Sequence, residues 1–182
     1  MARGRAFEAR RLDLSVFAEA ETTLEGESPL LDFARLAASA LPLADTPLPT
    51  VTWQASGTLR KAVGRAPEVQ LHLLADTVVT LECQRCLQPM TLPLAVDRRI
   101  RFAASEDEAA RLDEESEDDV LTLSHAFDLL ALVEDELILA LPLVPRHDVC
   151  PEPLPLGDGG AEDEAAAANP FAALAALKRP PS

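Results

Sequence analysis

Val51-Thr52-Trp53-Gln54-Ala55-Ser56-Gly57-Thr58-Leu59 alternates apolar or small residues with polar ones at a period of two. A half-buried strand requires that pattern, because successive side chains leave the backbone on opposite faces. Downstream, Arg60 to Ala66, with Gly64, reads as a turn. Val69, Leu71 and Leu73 then alternate with Gln70 and His72, and a further strand is expected over Thr77 to Glu82. Cys83 to Pro89 interrupts the run, and Leu92, Leu94, Val96 and Ile100 carry extended character from Thr91 to Phe102. Residues 50–103 are therefore predicted to form an antiparallel meander of about four strands, as a curved sheet or partial β-barrel.

Outward from this sheet the texture changes on both sides. Residues 12–28 show short, broken patterns without a clear period. Leu31, Phe33, Leu36 and Ala40 predict an amphipathic helix over 30–41, stopped by Pro42, with a turn-rich connector at Asp45 to Pro49. The most apolar stretch is Val120 to Val144, where Asp128 is a suitable N-cap for a helix over 128–141 and Pro142 and Pro145 stop it. That helix is apolar nearly all round, so it is expected to pack on more than one side. Its carboxylates Glu134, Asp135 and Glu136 point in different directions, and at least one must meet a donor such as an arginine, or reach a crevice. Paired catalytic carboxylates are the competing reading, although nothing around them suggests a reaction. The expected class is α+β: an antiparallel sheet or partial β-barrel covered by two helices, with an acidic loop and a flexible C-terminal tail. Residues 1–150 are read as one domain. Pro151 to Ala168 reads as a flexible linker, followed by a short docking helix, Phe171 to Lys178, capped by Asn169-Pro170.

Composition narrows the function. The 182 residues include 48% apolar side chains, enough for a sizeable core, and carry a formal net charge of −15. A polycation that coats nucleic acid is thereby excluded. Six Phe, one Trp and no Tyr argue against a base-stacking platform. No apolar run approaches a membrane span, the N-terminus lacks the apolar core of a secretory signal, and three cysteines are too few for a disulfide scaffold. A cytoplasmic location is expected.

The charge is unevenly placed. Residues 1–102 carry 12 basic and 12 acidic side chains, whereas residues 103–182 carry 4 and 19. Nine of those carboxylates lie between Glu106 and Asp119. Such a block reads first as a solvated loop. Its functional alternatives are a shield against non-specific RNA binding and a docking tract for a basic partner, through Glu106, Asp107, Glu108, Glu114, Glu115, Glu117, Asp118 and Asp119. Basic residues cluster at Arg60 and Lys61 and at Arg98, Arg99 and Arg101; these are candidate phosphate contacts, with ordinary surface charge as the alternative.

Cys83-Gln84-Arg85-Cys86 is a C-x-x-C, and His147-Asp148-Val149-Cys150 supplies a His and a third Cys about sixty residues later. A two-residue spacing lets a tight turn aim two thiolates at one ion, so Cys83, Cys86, His147 and Cys150 form a candidate structural zinc site. Two other readings stay open: small buried residues in a turn, and a redox pair. A zinc deaminase falls because no His-x-Glu is present. Phosphate-binding loops and nucleophile-elbow motifs are absent as well. The chain reads as a binding protein, not an enzyme.

Three strings carry a family resemblance. They are Val79-Thr80-Leu81-Glu82-Cys83-Gln84-Arg85-Cys86, the run from Phe127 through Leu141-Pro142 to Cys150, and Asn169-Pro170-Phe171 to Lys178. In order and content they resemble the YceD proteins, described as large ribosomal RNA subunit accumulation proteins, over roughly residues 50–180. The resemblance implies a role in the synthesis, processing or stability of 23S ribosomal RNA, and it supplies no catalytic residues. The expected partner is a 23S rRNA precursor or an early large-subunit particle. The alternative is an acidic escort for a basic large-subunit ribosomal protein.

Overall fold

The computed structural model describes residues 7–42, 49–60, 67–115 and 119–151. By its internal contacts the chain divides into two units, residues 1–148 and 149–182; only 149–151 of the second are described. The docking helix expected at 171–178 lies outside the described residues.

The first unit is an open five-stranded sheet with strands in sequence order. The strands are β1 (Thr23–Pro29), β2 (Thr50–Arg60), β3 (Glu68–Glu82), β4 (Pro89–Ala103) and β5 (Asp119–Thr122). β1 to β4 are antiparallel neighbours, and β5 joins β4 in parallel. Helix α1 (Leu14–Glu19) precedes β1, α2 (Ala34–Ser39) follows it, α3 (Glu106–Glu115) sits between β4 and β5, and α4 (Leu129–Leu139) follows β5. The expected α+β class and non-closed sheet are present. Among the described residues no helix is long and apolar enough to cross a membrane.

The period-two reading of β2 holds: Val51, Trp53, Ala55 and Gly57 are buried. Leu71, Leu73 and Ala75 of β3 and Val96, Ile100 and Phe102 of β4 line the same face. The two short strands expected at 69–73 and 77–82 are one continuous β3. Their apparent break arises because small Ala75 and polar Thr77 occupy inward positions. Thr77 satisfies itself there by donating its hydroxyl to the Thr50 carbonyl at 3.0 Å. Residues 50–103 thus supply three long strands, not four, and β1 and β5 complete the sheet.

Three further expectations are corrected. The patternless stretch 12–28 contains α1 and β1. Helix α1 is short, but Asp13 caps it by accepting from the Val16 N–H, and Leu14, Phe17 and Ala18 are buried. The predicted helix over 30–41 is a 3₁₀ turn, Leu30–Asp32, followed by α2; Leu30, Phe33 and Leu36 face inward, and Leu31 is exposed. The turn-rich connector expected at Asp45 to Pro49 lies outside the described residues except for Pro49, whose carbonyl accepts from the Leu30 N–H at 2.9 Å, and Arg98, Arg99 and Arg101 lie within β4. The acidic loop is replaced by α3 and β5. Ser105 accepts from the Glu108 N–H at 3.3 Å while the Glu108 carboxylate reaches back to the Ala104 N–H at 3.2 Å. Three carboxylates in the first turn suit the positive end of the helix dipole, and Leu112 anchors the helix by burial. A block rule that counts charge overlooks a cap and a single anchor.

Helix α4 runs as expected from its Asp128 cap, whose side chain accepts from the Ala131 N–H at 3.0 Å. It buries Leu129, Leu132, Val133 and Leu137, and it meets β3, β4 and α2. Gly57 permits the approach of α1 to β2. A Cβ there would lie 2.6 Å from the Phe17 ring and 3.1 Å from the Ala18 Cα.

Candidate metal centre and charged surfaces

Cys83-Gln84-Arg85-Cys86 occupies the hairpin between β3 and β4. The Leu87 N–H donates to the Cys83 carbonyl at 2.8 Å, and the Cys83 N–H donates to the Gln88 carbonyl at 3.0 Å. Leu87 adopts φ 59°, a left-handed conformation that reverses the chain immediately after the second thiol. The segment after α4 is laced to this turn by main-chain and side-chain hydrogen bonds. The Gln84 N–H donates to the Pro145 carbonyl at 2.8 Å, and the Arg85 guanidinium donates to the carbonyls of His147 and Asp148 at 2.8 and 3.3 Å.

This lacing brings the ligating atoms of Cys83, Cys86, His147 and Cys150 within 4.8 Å of one another. The Cys86 sulfur lies 3.4 Å from His147 Nδ1, and the Cys83 sulfur accepts from the His147 N–H at 3.4 Å. A tetrahedral zinc with ordinary Zn–S and Zn–N lengths places S and N about 3.6 Å apart, so the observed edge suits that ion. Cys83 is buried. Burial pushes its thiol up, but the N–H groups of His147, Arg85 and Cys86 and the Cys86 side chain together hold it at about 5. A thiolate is the form that binds a metal. The four predicted ligands form a group able to hold a metal ion. Their number leaves no protein-ligand position vacant in a tetrahedron, which is the mark of a structural rather than a catalytic site.

The expected RNA contacts are placed differently from one another. Arg98 donates to Glu136 of α4 at 3.2 Å and pairs with Asp119 of β5 at 2.9 Å. Arg101 pairs with Glu68, and both are largely buried. Arg60 and Arg99 are exposed. Lys61 lies outside the described residues. Of the expected docking carboxylates, Glu106, Asp107 and Glu114 face solvent on α3, and Glu108 serves the helix cap. Glu115 ends α3, Glu117 and Asp118 lie outside the described residues, and Asp119 is engaged by Arg98.

One charged site was not legible in the sequence. Arg35 of α2 grips Glu134 of α4 through Nε at 3.0 Å and Nη2 at 2.8 Å, and Asp135 through Nη1 at 2.6 Å. The same Glu134 accepts from the main-chain N–H groups of Arg35 and Leu36 at 2.7 and 3.3 Å. It therefore caps α2, whose own N-cap residue, Phe33, has no capping side chain. Burial raises the Glu134 carboxyl, but these donors outweigh it and hold the group below its ordinary value. The expectation that a carboxylate of α4 must find a donor is met by Arg35 for Glu134 and by Arg98 for Glu136. No local motif marks Arg35; only the apolar surroundings of Glu134 signalled that a partner was needed.

The fold and the cluster define a class: an open-sheet α+β protein with a Cys3His group at its β3–β4 hairpin. A family model described as "Large ribosomal RNA subunit accumulation protein YceD" matches residues 71–178, and the chain belongs to that family. A protein of Haemophilus influenzae named "Large ribosomal RNA subunit accumulation protein YceD" is 41% identical over 106 residues, 56% of this chain. The alignment covers 60% of that relative's length. No solved structure matches.

Proposed function

We propose that this protein supports the accumulation of large-subunit ribosomal RNA in the cytoplasm as a non-enzymatic factor that binds a precursor of the large subunit. Family membership and the name of the Haemophilus influenzae relative support the biological role. The Cys3His group is the structural element of this factor. One zinc ion would pin the segment after α4 to the β3–β4 hairpin, leaving the outer surfaces for partners.

The disposition of charge favours one mode of engagement. Arg98 and Arg101 already face carboxylates, whereas Glu106, Asp107, Asp113 and Glu114 of α3 face solvent. An arginine withdrawn into an ion pair adds little to phosphate binding. Docking of a basic ribosomal protein of the precursor is therefore the better-supported mode. Direct RNA contact through Arg60 and Arg99, whose side chains are exposed, is the second.

Native, chelator-free co-purification separates the two. The bound material is divided for RNA sequencing, protein mass spectrometry and zinc analysis. A basic ribosomal protein that is lost when Glu106, Asp107, Asp113 and Glu114 are neutralised supports protein docking. Large-subunit rRNA precursor retained by that variant, but lost on Arg60→Glu and Arg99→Glu, overturns it in favour of direct RNA contact.

A further inference from the structure

The face of the sheet turned away from α1 and α4 has a concave acidic region at its β1 edge. Glu25 and Glu27 of β1, Thr52 and Gln54 of β2, and Leu74 and Asp76 of β3 line a depression of ≈ 590 Å³. The register explains the grouping. Glu27, Thr52 and Asp76 stand in one cross-strand row, and Glu25, Gln54 and Leu74 stand in the next. Thr52 donates its hydroxyl to Asp76 at 3.0 Å. None of these three carboxylates has a cationic partner among the described residues. Nor does β1 pair with any described strand except β2, so the N–H and C=O groups of its outer edge have no strand partner there.

We propose that this edge and depression form a docking surface for an extended polypeptide segment with Lys or Arg at alternate positions. The proposal rests on the basic-protein reading above and names a surface distinct from α3. Strand addition to β1 would satisfy its outer main-chain groups, while the period of two would turn every second side chain of the incoming segment toward Glu25 and Glu27, with Asp76 of β3 adding to the negative field at longer range. The three carboxylates oppose an RNA phosphate chain. The same charge on an edge strand deters pairing with a second copy of β1, so it selects for a cationic chain.

The chain has a single tryptophan, Trp53, in β2 between Thr52 and Gln54 with its indole on the buried face, which supplies an intrinsic optical probe of this part of the sheet. A capped peptide of six Lys-Thr repeats is titrated at moderate salt, with a Glu-Thr repeat as control. Tryptophan emission, peptide anisotropy and hydrogen exchange over residues 23–29 are followed together. The Lys-Thr peptide is expected to bind and to slow exchange in β1. Glu25→Gln, Glu27→Gln and Asp76→Asn together are expected to weaken binding about tenfold, the product of two surface ion pairs of ordinary strength and the longer-range attraction of Asp76. All three side chains are exposed, so the thermal midpoint of the triple variant should stay near the parent's and serves as the folding control.

Unchanged affinity in that variant, or unprotected β1 amides at saturation, overturns the proposal. If the peptide is lost only when Glu106, Asp107, Asp113 and Glu114 are neutralised, this surface is wrong while the basic-partner reading stands. If the peptide fails to bind and a single-stranded RNA binds instead, both fall.

Discussion

The Cys3His cluster and the Arg35 clamp hold the two ends of the α4 region by opposite chemistry. The cluster ties the β3–β4 hairpin to residues some 64 positions later, and the clamp ties α2 to α4 across 99 positions. In the clamp, a cation already stands among carboxylates, and Glu134 is additionally satisfied by two main-chain donors. In the cluster, three thiols and an imidazole converge on one point. A metal ion bound by such a set only in the folded chain would add its binding free energy to stability. One tie is made by charges of the polypeptide itself, and the other is where a bound ion would add to the hold.

The largest test of that contrast is metal removal. Chelation of zinc-loaded protein should cost about 4 kcal/mol, the stabilisation expected from an ion present at a thousand times its dissociation constant. That corresponds to a fall of roughly 8–16 °C in the thermal midpoint of a domain this size. Cys86→Ala should remove the chelator response. A chelator-insensitive midpoint in protein containing one zinc would break the comparison.

Gly57→Ala tests the packing of α1 on β2, which belongs to neither tie. The added methyl must displace the Phe17 ring and meets α1 backbone, so a loss of about 2 kcal/mol is expected in chemical denaturation. That loss should be the same with and without chelator, because the site is remote from the cluster.

Glu134→Gln sharpens the clamp. It should cost about 1 kcal/mol at pH 7, because Arg35 is more than half exposed and solvent screens the pair. The folded-state value of Glu134 is depressed, so its contribution is fully present above the unfolded value near 4.3 and is lost as pH falls through the lower folded value. The gap between parent and variant should thus be constant from pH 7 to 5 and close below about pH 4. A gap that widens on acidification would overturn the assignment.

The smallest effect separates two adjacent arginines. Arg99→Ala should change stability by less than about 0.5 kcal/mol, as for an exposed side chain without a specific partner. Arg98→Ala should cost more, because Glu136, only 11% exposed at its side chain, loses a donor. Equal midpoints for the two would show that the Arg98 bridge contributes nothing.

These contrasts follow the line between what could and could not be read from the residues. The alternation of Val51 to Leu59, the Asp128 cap and the C-x-x-C spacing are local patterns, each set by the geometry of a strand, a helix end or a tight turn. They forecast β2, α4 and the metal-ligand group. β1 escaped because a seven-residue edge strand containing Glu25, Gly26 and Glu27 has little apolar alternation to display. α3 escaped because its evidence was one serine, one glutamate and one leucine within a run of acid. The break expected inside β3 reflects small Ala75 and polar Thr77 at inward positions, where a buried hydroxyl needs only one carbonyl to satisfy it.

Sequence by itself determined the class of fold, the family and the four candidate ligands, because each is encoded by short-range spacing or by long specific strings. Tertiary structure alone decided which charges are available. Arg98, Arg99 and Arg101 are neighbours in the chain, yet strand alternation sends Arg98 to Glu136 and Asp119 while Arg99 remains exposed on the opposite face. Arg101 shares that opposite face but is taken up by Glu68 on the adjacent strand. The same cross-strand register brings Glu25, Glu27 and Asp76 together from positions up to 51 residues apart. Charge composition is a property of the sequence, but the partner of each charge is set by which strands and helices pack beside it.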